Sequence, residues 1–125
     1  MDPREFQNQL NDAHQLMLQE KYKDAIILLE KLKDIEQKGN FEYSLTHQLF
    51  QLFSNAHSLY NQQKIKGALD AILMKQKVWT ISKLNELLKE RIGLDLDDKT
   101  FQKELELLIL RGLISCSIEG NLVIF

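Results

Sequence analysis

Apolar residues in the first half of the chain recur every three or four positions, which is the spacing of amphipathic helices. The pattern predicts helices over residues 4–19, 21–38 and 42–62. The third helix carries a main apolar stripe and a second stripe of Phe50, Phe53 and Tyr60. A helix that is apolar on two sides is usually enclosed by neighbouring elements. The other interpretation is that the second stripe is exposed and binds a partner, and the sequence leaves both open.

From residue 65 onward, helical spacing alternates with short segments of strand character. The pattern predicts a helix over 65–77, a β segment over 78–81 and helices over 82–93 and 98–110. The chain then ends in a hairpin over 113–125. With a single proline and five glycines to interrupt it, the whole chain is predicted to be mainly α-helical, with about five helices and one short β element.

Capping residues mark the ends of the two inner helices of this second half. Thr80 or Ser82 precedes the first of them, which ends at Gly93, and Asp97 or Asp98 precedes the second. In the hairpin, Ile114, Cys116 and Ile118 alternate onto one face. The chain turns at residues 119–121 and returns through Leu122 and Ile124.

An internal repeat relates two segments of the chain. The segment beginning at Ala13 aligns with the segment beginning at Ala56, a period of 43 residues, with seven identities that include His14/His57 and Gln19/Gln62. Such a period predicts stacked helical hairpins, with turns near residues 19–21 and 62–64. The stretch from Glu20 to Ala25 resembles the tetratricopeptide pattern, although Glu20 stands where that family usually has glycine.

The element order over residues 65–125 resembles a winged helix. This resemblance implies that residues 98–110 occupy the recognition-helix position and that residues 115–121 form the wing. Helical repeats followed by a winged helix, together with the closing Arg111–Ser115 and Ile118–Phe125, are similar to the PCI domains of scaffold subunits in the proteasome lid, the signalosome and a translation initiation complex. In those proteins the winged helix mediates subunit assembly.

These resemblances predict two units that share the helix from Lys64 to Lys77. Residues 1–63 would form tetratricopeptide-like antiparallel hairpins, and residues 64–125 a winged helix with a small β-hairpin. Two repeats are fewer than an independent solenoid needs, so the second unit would cap the first.

Charge argues against a general nucleic-acid binder. The chain has 16 Lys and Arg against 18 Asp and Glu, a net charge of −2. The predicted recognition helix begins with acidic residues, and residues 115–121 hold no Lys or Arg, whereas phosphate neutralisation dominates DNA affinity. One basic window over residues 62–91 is a solvated helix face or a contact for RNA or an acidic partner; its basic residues are Lys64, Lys66, Lys75, Lys77, Lys83, Lys89 and Arg91.

Catalytic and metal-binding patterns do not emerge from the sequence, so we expect no enzyme, metal or cofactor. His14 and His57 share a repeat position and are expected to share a structural role where helices cross. Cys116 is expected to be a small buried apolar side chain, and a single cysteine fits a reducing compartment. We also expect no secretory signal, no membrane span and a cytoplasmic location.

The sequence therefore favours a protein–protein interaction module, either a subunit or adaptor of a larger assembly or a self-associating chain. Its contacts would use the repeat surface, Trp79 if it is an exposed anchor rather than a seal, and the wing edge. The predicted partner-binding residues are Phe50, Phe53, Tyr60, Trp79, Leu122 and Phe125. The alternative is a winged-helix nucleic-acid binder, a transcription regulator or RNA-associated factor, that uses the basic window.

Overall fold

The computed structural model describes residues 1–72 and 76–125, and among these residues the fold is mainly helical with one small sheet. The helices are α1 (Pro3–Leu18), α2 (Tyr22–Lys38), α3 (Tyr43–Ile72), α4 (Ile81–Ile92) and α5 (Asp98–Leu110). The strands are β1 (Val78–Thr80), β2 (Ser117–Glu119) and β3 (Leu122–Ile124). The described chain divides into two compact units, Met1–Tyr60 and Asn61–Phe125.

The first unit is built on the α1–α2 hairpin and residues 43–60 of α3. Asp2 caps α1 by accepting a hydrogen bond from the Glu5 N–H at 2.8 Å, and Pro3 occupies the first helical position, where its missing N–H costs nothing. Phe6 packs on Phe41 with ring centroids 4.5 Å apart. The buried core of this unit consists of Phe6, Leu10, Ala13, Leu29, Leu32, Leu45, Leu49 and Ala56.

A Schellman turn separates α1 from α2. Glu20 has φ +61°, its N–H donates to the Met17 carbonyl at 3.0 Å, and the Lys21 N–H donates to the Leu16 carbonyl at 2.9 Å. The left-handed conformation usually belongs to glycine, because a Cβ crowds the following carbonyl there. This turn lets α2 fold back beside α1, so that Ala25 and Leu29 of α2 are fully buried.

The second turn that the repeat predicts does not exist, and this prediction was wrong. α3 continues as one helix through residues 62–64, so the predicted helix over residues 42–62 and the predicted separate helix from Lys64 to Lys77 are not two elements. Gln62, Ile65 and Leu69 are buried in the second unit, and continuing the helix places them on one face of it. At its C-terminal end, α3 is described as far as Ile72, and Lys77 lies outside any helix.

The second unit contains residues 61–72 of α3, then β1, α4, α5 and the β2–β3 hairpin. Its antiparallel sheet has the order β1-β3-β2, with Trp79 opposite Val123 on one side and Ile118 opposite Val123 on the other. Val123 is the fully buried residue of the last strand, whereas Leu122 and Ile124 are half-buried. The buried core consists of Ile65, Leu69, Ile72, Ile81, Leu84, Leu88, Phe101, Leu105, Leu108 and Val123.

Local capping sets the ends of the helices in this unit. Thr80 accepts a hydrogen bond from the Lys83 N–H at 3.2 Å, and Asp97 accepts one from the Thr100 N–H at 2.6 Å. Gly93 ends α4 in the left-handed conformation with φ +68°. Of the alternatives in the sequence, Thr80 and Asp97 are thus the capping residues.

A buried polar contact joins α3 to α5 in the second unit. Gln62 is 3% exposed and donates from Nε2 to Oε2 of Glu104, which is also 3% exposed, at 3.2 Å. The Arg111 guanidinium donates to Oε1 of the same Gln62 at 2.5 Å. Buried polar groups need such partners, because desolvation without them costs about 1–3 kcal/mol each.

Candidate interaction surfaces

Residues 43–60 of α3 present one side to the core of the first unit and the opposite side to solvent. Tyr43 is 82% exposed and Phe50 43% exposed, and His47 stacks on Tyr43 with ring centroids 6.0 Å apart and planes inclined by 18°. At about 100° per residue, Tyr43, His47, Phe50 and Ser54 fall within about 60° of one another around the helix. These four exposed residues form what we call the Tyr43 face.

The predicted stripe of Phe50, Phe53 and Tyr60 is divided in the structure. Phe50 is exposed, but Phe53 is half-buried against the core of the first unit. The Phe53 ring has the Lys33 ammonium 5.2 Å from its centroid and the His57 ring edge-on at 4.6 Å. Tyr60 is half-buried. Phe53 is therefore enclosed by its neighbours, whereas Phe50 is exposed and belongs to the Tyr43 face.

The predicted partner-binding residues of the second unit are partly covered by other residues of that unit. Trp79 and Phe125 are half-buried against the core. The Trp79 indole N–H donates to the Gln76 carbonyl at 3.0 Å, and the Phe125 N–H donates to the Lys77 carbonyl at 2.8 Å. Leu122 is half-buried in β3, which is the central strand of the sheet. Trp79 thus packs on the core of the second unit, and its position is not that of an exposed anchor residue.

The outer surface of α5 and the adjoining hairpin have no excess of basic charge. Lys99 and Lys103 are exposed together with Glu106, and the hairpin tip carries Glu119. Leu110, on the same side of α5 as Lys103 and Glu106, is 81% exposed. This surface offers two cations and two anions, which is a poor match to a DNA backbone.

Two aspartates at the start of α5 are held in the charged form by hydrogen bonds. The Thr100 N–H lowers the pKa of Asp97 below its usual 3.8. The Ser82 hydroxyl, at 2.5 Å, and the Asn85 amide, at 2.9 Å, lower the pKa of Asp98. Both carboxylates are therefore anionic at neutral pH, and this end of α5 would repel a phosphate backbone.

The basic residues of the window over 62–91 do not share one face. Lys64 and Lys66 are two residues apart on α3, and Lys89 and Arg91 are two apart on α4, so each pair diverges by about 160° around its helix. Lys66 pairs with Asp70 at 3.5 Å and Lys89 with Asp95 at 3.3 Å. Lys77 and Lys83 are exposed, and Lys75 lies outside the described residues.

One groove does bring two residues of this window together. Lys64 and Arg91 line an open groove of about 520 Å³ in the second unit, and Gly67, Ala68 and Ala71 are among its other lining residues. A Cβ added at Gly67 would meet no other atom of the described residues within 4 Å. The groove is the part of the second unit that best fits the nucleic-acid alternative.

The surroundings of Cys116 and of the two repeat histidines, His14 and His57, do not indicate a catalytic role. Burial raises the pKa of the Cys116 thiol, which keeps it protonated and a weak nucleophile. Cys116 is half-buried and packs against the core beside Ile114 and Ile118, which fits the expected apolar role. His14 is exposed, whereas His57 is half-buried against Phe53. The two histidines therefore have different surroundings, contrary to the shared structural role expected from the repeat.

The search for metal-binding clusters covered residues 1–72 and 76–125. Within these ranges, no three His, Cys, Asp or Glu side chains are grouped as metal ligands would be. No helix in the same part of the chain is long and apolar enough to cross a bilayer.

Tyr43 and His47 were missed by the sequence reasoning, although the sequence contains an indication of the face they form. From residue 43 to residue 63, the chain has no Asp, Glu, Lys or Arg, while 27% of all its residues are charged. Depletion of charge with enrichment of aromatic residues is typical of the centre of a protein interface.

Comparison with known proteins identifies no relative of this chain. No family model, curated protein or solved structure matches this chain. The function must therefore be inferred from the residues and their arrangement.

Proposed function

We propose that this chain is a non-enzymatic protein–protein interaction module that acts in the cytoplasm as a subunit or adaptor of a larger assembly. In this proposal the α1–α2 hairpin is a tetratricopeptide-like element, and the second unit is a winged helix similar to those of PCI-type scaffold subunits. The glycine-like conformation of Glu20 supports the first assignment. The order β1, α4, α5, β2, β3 after α3, with its antiparallel sheet, supports the second.

The observation that carries this proposal is the Tyr43 face. Tyr43 and Phe50 are large aromatic side chains exposed on a helix whose residues 43–63 have no Asp, Glu, Lys or Arg. Burying a large aromatic side chain contributes about 1.5–3 kcal/mol, which solvent exposure forgoes. A protein partner that covers this face would recover that free energy.

The proposal is tested by affinity capture from a lysate of the native cell, treated with nuclease. We expect the wild-type chain to retain protein, and Tyr43→Glu to lose most of it, because Tyr43 is too exposed to support the fold. Ile27→Glu is the matched control: Ile27 is 58% exposed in α2, so the variant makes the same kind of change elsewhere. A parallel capture from untreated lysate that retains only nucleic acid would contradict the proposal. Equal capture of protein by all three chains would also contradict it.

The second candidate function is nucleic-acid binding, which the groove beside Lys64 and Arg91 favours. It is tested by titrating generic duplex DNA and RNA at low salt. If this groove binds a phosphate backbone, Arg91→Ala weakens binding more than Lys83→Ala, an exposed lysine outside the groove. Flat titrations of both nucleic acids eliminate the candidate.

A further inference from the structure

The groove beside Lys64 and Arg91 combines small residues with basic ones. Lys64 belongs to α3, and Arg91 and Ile92 lie at the end of α4. The α3 side is otherwise lined mainly by small residues, which are Gly67, Ala68 and Ala71. None of these three has a side-chain atom beyond Cβ, so another backbone can come close to α3 along this side.

Both charged residues that line the groove are basic. No Asp or Glu is among its lining residues in the described part of the chain. Acidic residues close to these two in sequence lie elsewhere: Asp70 pairs with Lys66 at 3.5 Å, and Glu90 is exposed on α4 outside the groove. A guanidinium such as that of Arg91 binds a carboxylate through two parallel hydrogen bonds. The charge of the groove therefore favours a ligand that carries carboxylates.

The backbone of α3 favours a ligand that is itself helical. Within α3, the backbone N–H and C=O groups along the groove are paired with each other. An extended peptide would leave its own backbone groups unpaired against this side, whereas it could pair them at the edge of a sheet. A helix satisfies its backbone internally and packs closely where the facing residues are small. Ile92, which is 40% exposed, offers it an apolar contact.

The same groove suits nucleic acid less well. Proteins hold single strands by stacking the bases on aromatic side chains, and no aromatic residue is among the described residues that line this groove. A phosphate backbone gains affinity from many neutralised phosphates, whereas the groove supplies two cations. Two cations match two carboxylates that lie one turn apart on a helix.

We propose that this groove binds an acidic amphipathic helix of a partner protein. One carboxylate of that helix pairs with Arg91 and another lies near Lys64, while its small or apolar residues pack on Gly67 and Ala71. The inference rests on the proposed function, since it names a second contact surface and the kind of segment that a partner places there. Because the groove is open, we expect a dissociation constant between about ten micromolar and one millimolar.

A display library of helical peptides tests the class of ligand on the full chain. The peptides have roughly fifteen residues on an alanine-rich frame, with randomised positions on one face. We expect the enriched peptides to carry Asp or Glu three or four positions apart, beside small or apolar residues. Replacing those acidic residues by amides should weaken binding at least tenfold in a fluorescence anisotropy titration. Enrichment of basic or uncharged peptides, or of none, overturns the inference.

A variant that fills the groove separates binding in the groove from general attraction by charge. Gly67→Leu leaves the net charge unchanged, and its Cβ enters open space within a helix that favours leucine over glycine. We expect Gly67→Leu and Arg91→Ala each to weaken the selected peptide at least tenfold. Asn8→Leu on α1 and Lys83→Ala on α4 are the controls, because both residues are exposed and neither lines the groove. Circular dichroism verifies the fold of each variant, and unchanged binding by Gly67→Leu overturns the assignment to the groove.

Further outcomes separate this inference from the two candidate functions. Single-stranded RNA and duplex DNA are titrated against the same variants. Nucleic acid that binds more tightly than the peptide, and that Gly67→Leu and Arg91→Ala weaken, overturns the acidic helix as the ligand and supports the second candidate. If no acidic peptide binds while capture of lysate protein still depends on Tyr43, the inference fails and the interaction module stands. Absence of both kinds of binding overturns both.

Discussion

At the scale of single residues, the left-handed backbone positions of two turns affect the stability of this fold. Glu20 and Gly112 occupy equivalent positions in two Schellman turns, with φ +61° and +70°. In the second turn, the Leu113 N–H donates to the Leu108 carbonyl at 3.0 Å, the same pattern that follows α1. A residue with a Cβ is costly in this conformation and glycine is not, so the two turns differ in strain.

We predict that Glu20→Gly is more stable than Glu20→Ala by about 1 kcal/mol, measured by urea unfolding. Both variants lose the contacts of the glutamate side chain, so their difference reports the strain of the Cβ less the greater backbone entropy that glycine loses on folding. Gly112→Ala should lower stability by a similar amount. Equal stability of the two variants at position 20 would contradict this account of the turn.

Asp98 makes stability depend on pH. Its pKa is lowered by hydrogen bonds from Ser82 and Asn85 in the folded protein, so its contribution is present above the ordinary pKa of 3.8. That contribution is lost as the pH falls through the lower, folded-state pKa. We predict that Asp98→Asn is less stable than the wild type at pH 7, and that the gap closes as the pH falls below 3.8. Urea unfolding over a pH series measures this, and a constant gap at all pH values would refute it.

At the scale of elements, α3 shows how packing overrides a sequence repeat. Gln19 and Gln62 are identical and so are Lys21 and Lys64, yet the chain turns at the first pair and stays helical at the second. Glutamine and lysine are good helix formers, so a helix continues through them unless folding back buries more apolar surface. Continuation past Gln62 places Ile65 and Leu69 in the second core.

Two glycines in the second unit make a contrasting pair at this scale. Gly67 lies inside α3, where a Cβ would have open space, whereas Gly93 ends α4 with φ +68°. We predict that Gly67→Ala raises the unfolding free energy by about 0.5–1 kcal/mol, since alanine loses less backbone entropy. Gly93→Ala should lower it by about 1 kcal/mol because of its positive φ. Chemical denaturation of both variants measures the two signs, and a shared sign would contradict the assignments.

At the scale of the whole molecule, the two units differ in charge. The first has a net charge of −3, and the second, with ten basic and nine acidic side chains, a net charge of +1. Neither α5 nor the tip of the β2–β3 hairpin gains an excess of basic residues from this difference. The charge distribution thus favours a protein partner over a nucleic acid.

The sequence by itself determined the mainly helical class, the positions of α1, α2, α4 and α5 to within about two residues, and the strand segments near residues 78–80 and 117–124. These features depend on local chemistry: apolar spacing, capping by Asp97 or Thr80, and glycine at helix ends. Only the tertiary structure decided that α3 runs unbroken, that Phe53 is enclosed while Phe50 is exposed, and that Gln62 meets Glu104 and Arg111. Those outcomes depend on which surfaces, distant in sequence, pack together. The helix propensity of a single residue does not specify that packing.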